Sequence, residues 1–124
     1  MLNVLLVGIG GYGRNFYEEV ALRGTPWGFA CAGVVQPSMA RYPREQEELA
    51  RWGIPVCATM DQFFAAGGKA DLAVIASPLP FHDEQCMAAL TNNVHVLCEK
   101  PVTVGWREAL ALERMRYERD LILA

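Results

Sequence analysis

Leu2-Asn3-Val4-Leu5-Leu6-Val7-Gly8-Ile9-Gly10-Gly11-Tyr12-Gly13 is the stretch that decides the fold. Leu2 to Val7 is a near-continuous apolar run ending at a glycine, as a strand covered on both faces reads. Residues 12–23 follow, with Phe16 and Val20 four apart and Gly24 just beyond, which predicts a helix. Between the two, Gly8, Gly10 and Gly13 fit a G-x-G-x-x-G turn. In such a turn the first glycine makes the tight bend and the second lets backbone approach a pyrophosphate. The third lets the helix pack on the strand. The helix N-terminus then turns unpaired N–H groups and a positive dipole end toward the phosphates. Gly8, Gly10, Gly11, Tyr12 and Gly13 are therefore the first candidates for binding a dinucleotide. As aromatics, Tyr12 and Phe16 read as helix-packing residues rather than cofactor-stacking ones. A glycine turn used for packing alone, or for another adenosyl ligand, is the alternative.

The same alternation continues outward along the chain. Further strands are predicted over Phe29 to Val35, Ile54 to Cys57, Asp71 to Ala76 and Val94 to Cys98. Helices are predicted over about 43–52, from Thr59 to the glycines at 67 and 68, over 82–92 and over roughly 104–118. Pro43 suits a first helical position, Thr59-x-x-Gln62 has capping-box spacing, and Asn93 suits a left-handed terminator. Thr103 is the candidate cap of the last helix, and Asp120 to Ala124 reads as the start of a sixth strand. Strand–helix alternation with right-handed crossovers predicts an α/β fold with a doubly wound parallel (Rossmann) sheet. The expected strand order is 3-2-1-4-5-6, with the sixth strand short or truncated.

The 124 residues are the length of one domain, and at 52% hydrophobic and 20% charged they can bury a core. With 11 basic against 14 acidic residues the net charge is −3, the wrong sign for binding nucleic acid through bulk charge. No apolar stretch approaches the ~20 residues of a membrane span, and no basic leader precedes the first apolar run. A cytoplasmic domain is expected. Cys31, Cys57, Cys86 and Cys98 form no CxxC, so they read as reduced thiols, and no metal site is expected.

The end of the second strand commonly selects the dinucleotide through an acid that holds the ribose hydroxyls. Here it reads Val35-Gln36-Pro37-Ser38, with a glutamine in the acid's place. Ser38, Arg41 and Arg44 follow, and a hydroxyl with guanidinium groups could hold a 2′-phosphate. Both arginines could equally be solvated helix-flanking charges. The cofactor is expected to be NADP or NAD, with a lean to NADP.

Ala70-Asp71-Leu72-Ala73-Val74-Ile75-Ala76-Ser77-Pro78, then His82, then His95-Val96-Leu97-Cys98-Glu99-Lys100-Pro101 make the pattern more specific. With the glycine loop, they resemble the N-terminal domain of the glucose–fructose oxidoreductase, inositol dehydrogenase and rhizopine-catabolism family. The resemblance covers essentially the whole chain but only the first half of a family member. It implies that Gly8, Gly10 and Gly13 form the phosphate loop and that Ser77 and Pro78 border the cofactor. Glu99 and Lys100 would lie beside the nicotinamide, with Lys100 as the catalytic residue. It also suggests a cis Lys100–Pro101 bond. Gln36 departs from the family's commoner acid. His82 either faces the cleft as a cofactor-binding residue or is hydrogen-bonded locally near its helix N-terminus.

Residues 1–124 are thus expected to be a dinucleotide-binding domain, with a C-terminal substrate domain lying outside the chain. The expected function is that of an NAD(P)-dependent oxidoreductase, transferring hydride between a nicotinamide cofactor and a sugar, cyclitol or related hydroxy compound. Alone, the fragment should bind cofactor but barely turn over. The expected partners are the nicotinamide dinucleotide and, through the further domain, a small-molecule substrate; self-association as a homo-oligomer stays open. A stand-alone nucleotide-binding sensor or regulatory module is the second reading. A methyltransferase is a third, but it leaves Glu99-Lys100-Pro101 without a role.

Overall fold

Val4, Leu5, Leu6 and Val7 are each at most 1% exposed, so β1 (Leu2–Val7) is covered on both faces and takes the centre of the sheet. The computed structural model describes residues 1–124 and adds β2 (Phe29–Val35), β3 (Val56–Cys57), β4 (Leu72–Ile75) and β5 (His95–Cys98). All pairings are parallel, in the order β3-β2-β1-β4-β5. The predicted sixth strand is reduced to a single parallel bridge between Val96 and Leu123. Hydrogen bonds from Val96 N to Ile122 O and from Ala124 N to Val96 O hold this tail on the β5 edge, where strand six was expected.

Five helices, α1 (Gly13–Phe16), α2 (Pro43–Arg51), α3 (Met60–Ala65), α4 (His82–Thr91) and α5 (Trp106–Glu118), complete the crossovers. Alternation along the strands divides the core in two. Leu5, Val7, Ala73, Ile75 and Val96 join α3, α4 and α5 in a cluster of 15 buried residues. Val4, Leu6, Val34 and Val74 pack with Tyr17, Val20 and Leu49 in a second cluster of 9. No helix is long and apolar enough to cross a membrane.

Local signals were legible, with exceptions. Thr59 Oγ1 accepts from Gln62 N at 3.1 Å, while Gln62 Oε1 accepts from Ala58 N at 3.0 Å, one residue from the ideal capping box. Asn93 ends α4 at φ 60°. The first predicted helix is α-helical only to Phe16 and then widens into π turns over Tyr17–Leu22. Thr103 does not cap α5: Gly105 holds that place, and the Thr103 hydroxyl accepts from its N–H at 3.4 Å. All four cysteines are free, with Cys86 and Cys98 buried and Cys31 and Cys57 partly so. Burial on β2 pushes the Cys31 thiol up to about 11.

Candidate functional site

The parallel register brings the strands to one common edge. Val7 stands opposite both Val35 and Ile75, Val35 opposite Cys57, and Ile75 opposite Cys98. Each strand's continuation is tied to its neighbour there: Gly8 N to Val35 O at 2.9 Å, Gln36 N to Cys57 O at 2.9 Å, Ala76 N to Val7 O at 2.8 Å and Glu99 N to Ile75 O at 2.8 Å. The glycine loop, Gln36, the Ser77–Pro78 loop and Glu99-Lys100 therefore emerge side by side. Doubly wound sheets bind ligands at this edge, where the strand order reverses between β1 and β4.

Within the glycine loop, Gly8 has φ +86°, and a Cβ there would lie 2.9 Å from the Ser77 nitrogen. Only glycine combines that conformation with that contact. A Cβ on Gly13 would strike the Gly8 carbonyl oxygen, so the third glycine serves helix–strand packing as expected. At Gly10 the missing side chain also leaves room for the Tyr42 hydroxyl, a second demand for glycine that the sequence did not show. Tyr42, which precedes α2, leans over the loop where a pyrophosphate would pass. The amides of Gly10, Gly11 and Tyr12 make no hydrogen bond within the protein, whereas Ile9 N donates to Gln36 Oε1 at 3.1 Å. Three unengaged N–H donors at a helix entrance are suited to an anion. Tyr12 is 63% exposed and touches Phe16 edge-on, so it is not the packing aromatic expected from sequence.

A cavity of about 380 Å³ opens between the β2, β3 and β4 ends. It lies within the size range of small-molecule sites, ~300–1,000 Å³. Gln36, Ser38, Ser77 and Pro78 line it, as do Met60, Asp61 and Glu84, which the sequence reading missed. Both acids lie in first helical turns, where their signal merges with ordinary dipole-complementing carboxylates. The Ser77 hydroxyl donates to Gln85 Oε1. Gln36 spends its oxygen on the glycine loop and keeps its amide N–H₂ as a donor.

The nearby cations are unequally placed. Arg44 pairs with Glu48 at 3.0 Å on the α2 surface, while Arg41 is exposed; neither lines the cavity. Arg14 is held by Glu45 at 2.5 Å and Glu18 at 3.1 Å, and the hydrogen bond to Glu45 is the main cause raising its pKa. Glu45 is only 7% exposed. With Arg14 compensated, the loop amides and the Gln36 N–H₂ remain as free donors along this edge.

Lys100 is exposed beyond the end of β5, Glu99 is half-buried, and the Lys100–Pro101 bond is cis. His82 is 2% exposed. Its ring nitrogens face the Ser77 and Pro101 carbonyl oxygens, at 2.8 and 2.9 Å. The local reading of this histidine is the one the fold adopts, and its ring does not open into the cleft.

Residues 2–124 match the family described as an oxidoreductase family with an NAD-binding Rossmann fold. Among curated proteins, the chain is 30% identical over 119 residues to an inositol 2-dehydrogenase of Mycolicibacterium smegmatis, covering 94% of this chain and 32% of the relative. Among solved structures, it is similar to the UDP-N-acetylglucosamine 3-dehydrogenase GnnA from Acidithiobacillus ferrooxidans, with TM-score 0.78 and 28% identity, covering 99% of this chain and 37% of that one. GenD2 from gentamicin A biosynthesis, solved in complex with NAD, shares the fold at TM-score 0.80 and 24% identity, over 99% of this chain and 33% of its own. The chain spans about a third of the length of the curated relatives it matches.

Proposed function

The chain belongs to this oxidoreductase family with its NAD-binding Rossmann fold, and from that premise we propose that its sheet edge binds a nicotinamide dinucleotide along its whole length. The adenosine lies in the cavity beside Gln36 and Ser38, the pyrophosphate on the amides of Gly10, Gly11 and Tyr12, and the nicotinamide toward Glu99 and Lys100. The observation carrying this reading is the alignment of cavity, free amides and Lys100 along one edge.

The bound nicotinamide ring would supply or accept the hydride. Lys100 Nζ would donate a hydrogen bond to the substrate oxygen on the carbon exchanging that hydride, and would hold or pass its proton. Glu99 would fix the strand end from which Lys100 projects. The substrate, a sugar, cyclitol or related hydroxy compound, is met through a further domain. The names of the inositol and sugar-nucleotide dehydrogenases among the similar proteins support that substrate class.

For the choice of dinucleotide, Ser38 supports a 2′-phosphate, but two carboxylates share its cavity and neither Arg41 nor Arg44 lines it. Asp61 and Glu84 would repel a phosphate dianion, and this balance favours NAD over the NADP expected from Arg41 and Arg44. Separate titrations with NADH and NADPH test the reading. NADH is expected to bind more tightly, and absence of binding by either would sink it. Lys100→Met should leave NADH affinity within a few-fold. In a chain carrying the substrate domain, the same change should lower kcat by ~10²–10⁴.

A further inference from the structure

Two of the loops forming the sheet edge are fastened to each other by one buried side chain. The first leaves β4 through Ser77 and Pro78 and borders the cavity; the second leaves β5 through Glu99, Lys100 and Pro101. His82 is their common partner, with Nε2 2.8 Å from Ser77 O and Nδ1 2.9 Å from Pro101 O. A carbonyl oxygen only accepts, so both contacts are hydrogen bonds only when each ring nitrogen carries a proton. A single N–H would leave a ring lone pair facing a carbonyl oxygen in a site 2% exposed, which is costly. The other histidine, His95, accepts from Ile122 N through Nδ1 at 3.0 Å and is a natural contrast.

We infer that His82 is a positioning residue, a two-ended strap that sets the separation between the adenosine cavity and Lys100. This rests on the cofactor reading above. Next in sequence on α4 is Asp83, whose Oδ1 is buried with no hydrogen-bond partner. The Cys98 thiol at the end of β5 donates to Glu99 O at 3.4 Å, and its sulfur lies within electrostatic reach of His82, Asp83 and Glu99. From the β4 side, Ser77 offers its carbonyl to the ring while its hydroxyl is engaged by Gln85. Cutting the strap should release the whole Glu99–Pro101 segment, backbone included, from its register with the cavity while leaving the cavity itself formed, a larger change at the nicotinamide end than loss of the Lys100 ammonium alone.

The test compares NADH with ADP-ribose, which lacks the nicotinamide ring. His82→Gln should weaken NADH binding roughly tenfold, the scale of one lost hydrogen bond, and leave ADP-ribose binding within about twofold. Equal losses for both ligands, or no loss for either, would overturn the inference. Ring-nitrogen NMR of the wild-type chain needs no variant. His82 should show N–H on both nitrogens, unlike His95, and a bare His82 nitrogen would also overturn the strap. If His82→Gln fails to fold, His82→Asn and the ring signals still decide the question. A wild-type chain that binds ADP-ribose and not NADH would refute the nicotinamide reading, while the ring signals separately read the strap.

Discussion

At Gly10 the absent side chain is claimed by a neighbouring residue. An added Cβ would meet the Tyr42 hydroxyl, and Tyr42 is itself packed against the smaller core cluster. Gly10→Ala should therefore cost about 1–2 kcal/mol, typical of modest overpacking. In a Tyr42→Phe background, where the colliding hydroxyl is gone, the cost should fall below half. Denaturant curves on the four chains of this cycle measure the coupling, and purely additive losses would refute it. The two cavity acids give a second residue-level expectation. Asp61→Asn and Glu84→Gln should each improve NADPH binding a few-fold and leave NADH nearly unchanged, as for removing a partly solvated repulsion worth about 0.5–1 kcal/mol. Parallel gains for both cofactors would argue against electrostatic selection.

The first helix and α2 are joined by a polar seam. Tyr17 is fully buried, yet its hydroxyl donates to Glu48 Oε2 at 2.7 Å, and Arg14 reaches Glu45 beside it. The Tyr17 hydrogen bond is the main cause holding the Glu48 carboxyl below its ordinary range; burial on the other side keeps the phenol protonated. Tyr17→Phe should destabilise the chain by about 1–2 kcal/mol at neutral pH. A carboxyl lowered in the folded state stabilises above its unfolded pKa, ~4.3, and that contribution is lost as pH falls through the folded value. The gap between wild type and variant should accordingly narrow in acid; a gap constant from pH 7 to pH 3 would contradict the seam. None of this was legible in sequence, because Glu45 and Glu48 look like ordinary surface acids of a charged helix. The strands, the caps at Thr59 and Asn93 and the glycine turn were legible, because each depends on neighbours within a few residues. The π turns at Tyr17–Leu22, Tyr42 over Gly10 and the cavity acids all depend on contacts between distant segments.

Across the whole molecule, the level ending of five parallel strands converts scattered motifs into one edge. Gly8, Gln36, Ser77 and Glu99 were legible as candidates because each follows an apolar run, and register alone brings them together. The same packing determines which parts of the interior a reagent can find. Thiol alkylation proceeds through the thiolate. Cys31, on β2 between β1 and β3, is held protonated at neutral pH because burial pushes it up to about 11. A maleimide should therefore label this partly buried thiol slowly in the folded chain and faster when β2 parts from β1, and its labelling rate should climb in step with denaturant. Quenching at intervals and reading mass at Cys31 would time those openings, giving the central strands a chemical clock that runs with or without a bound nucleotide.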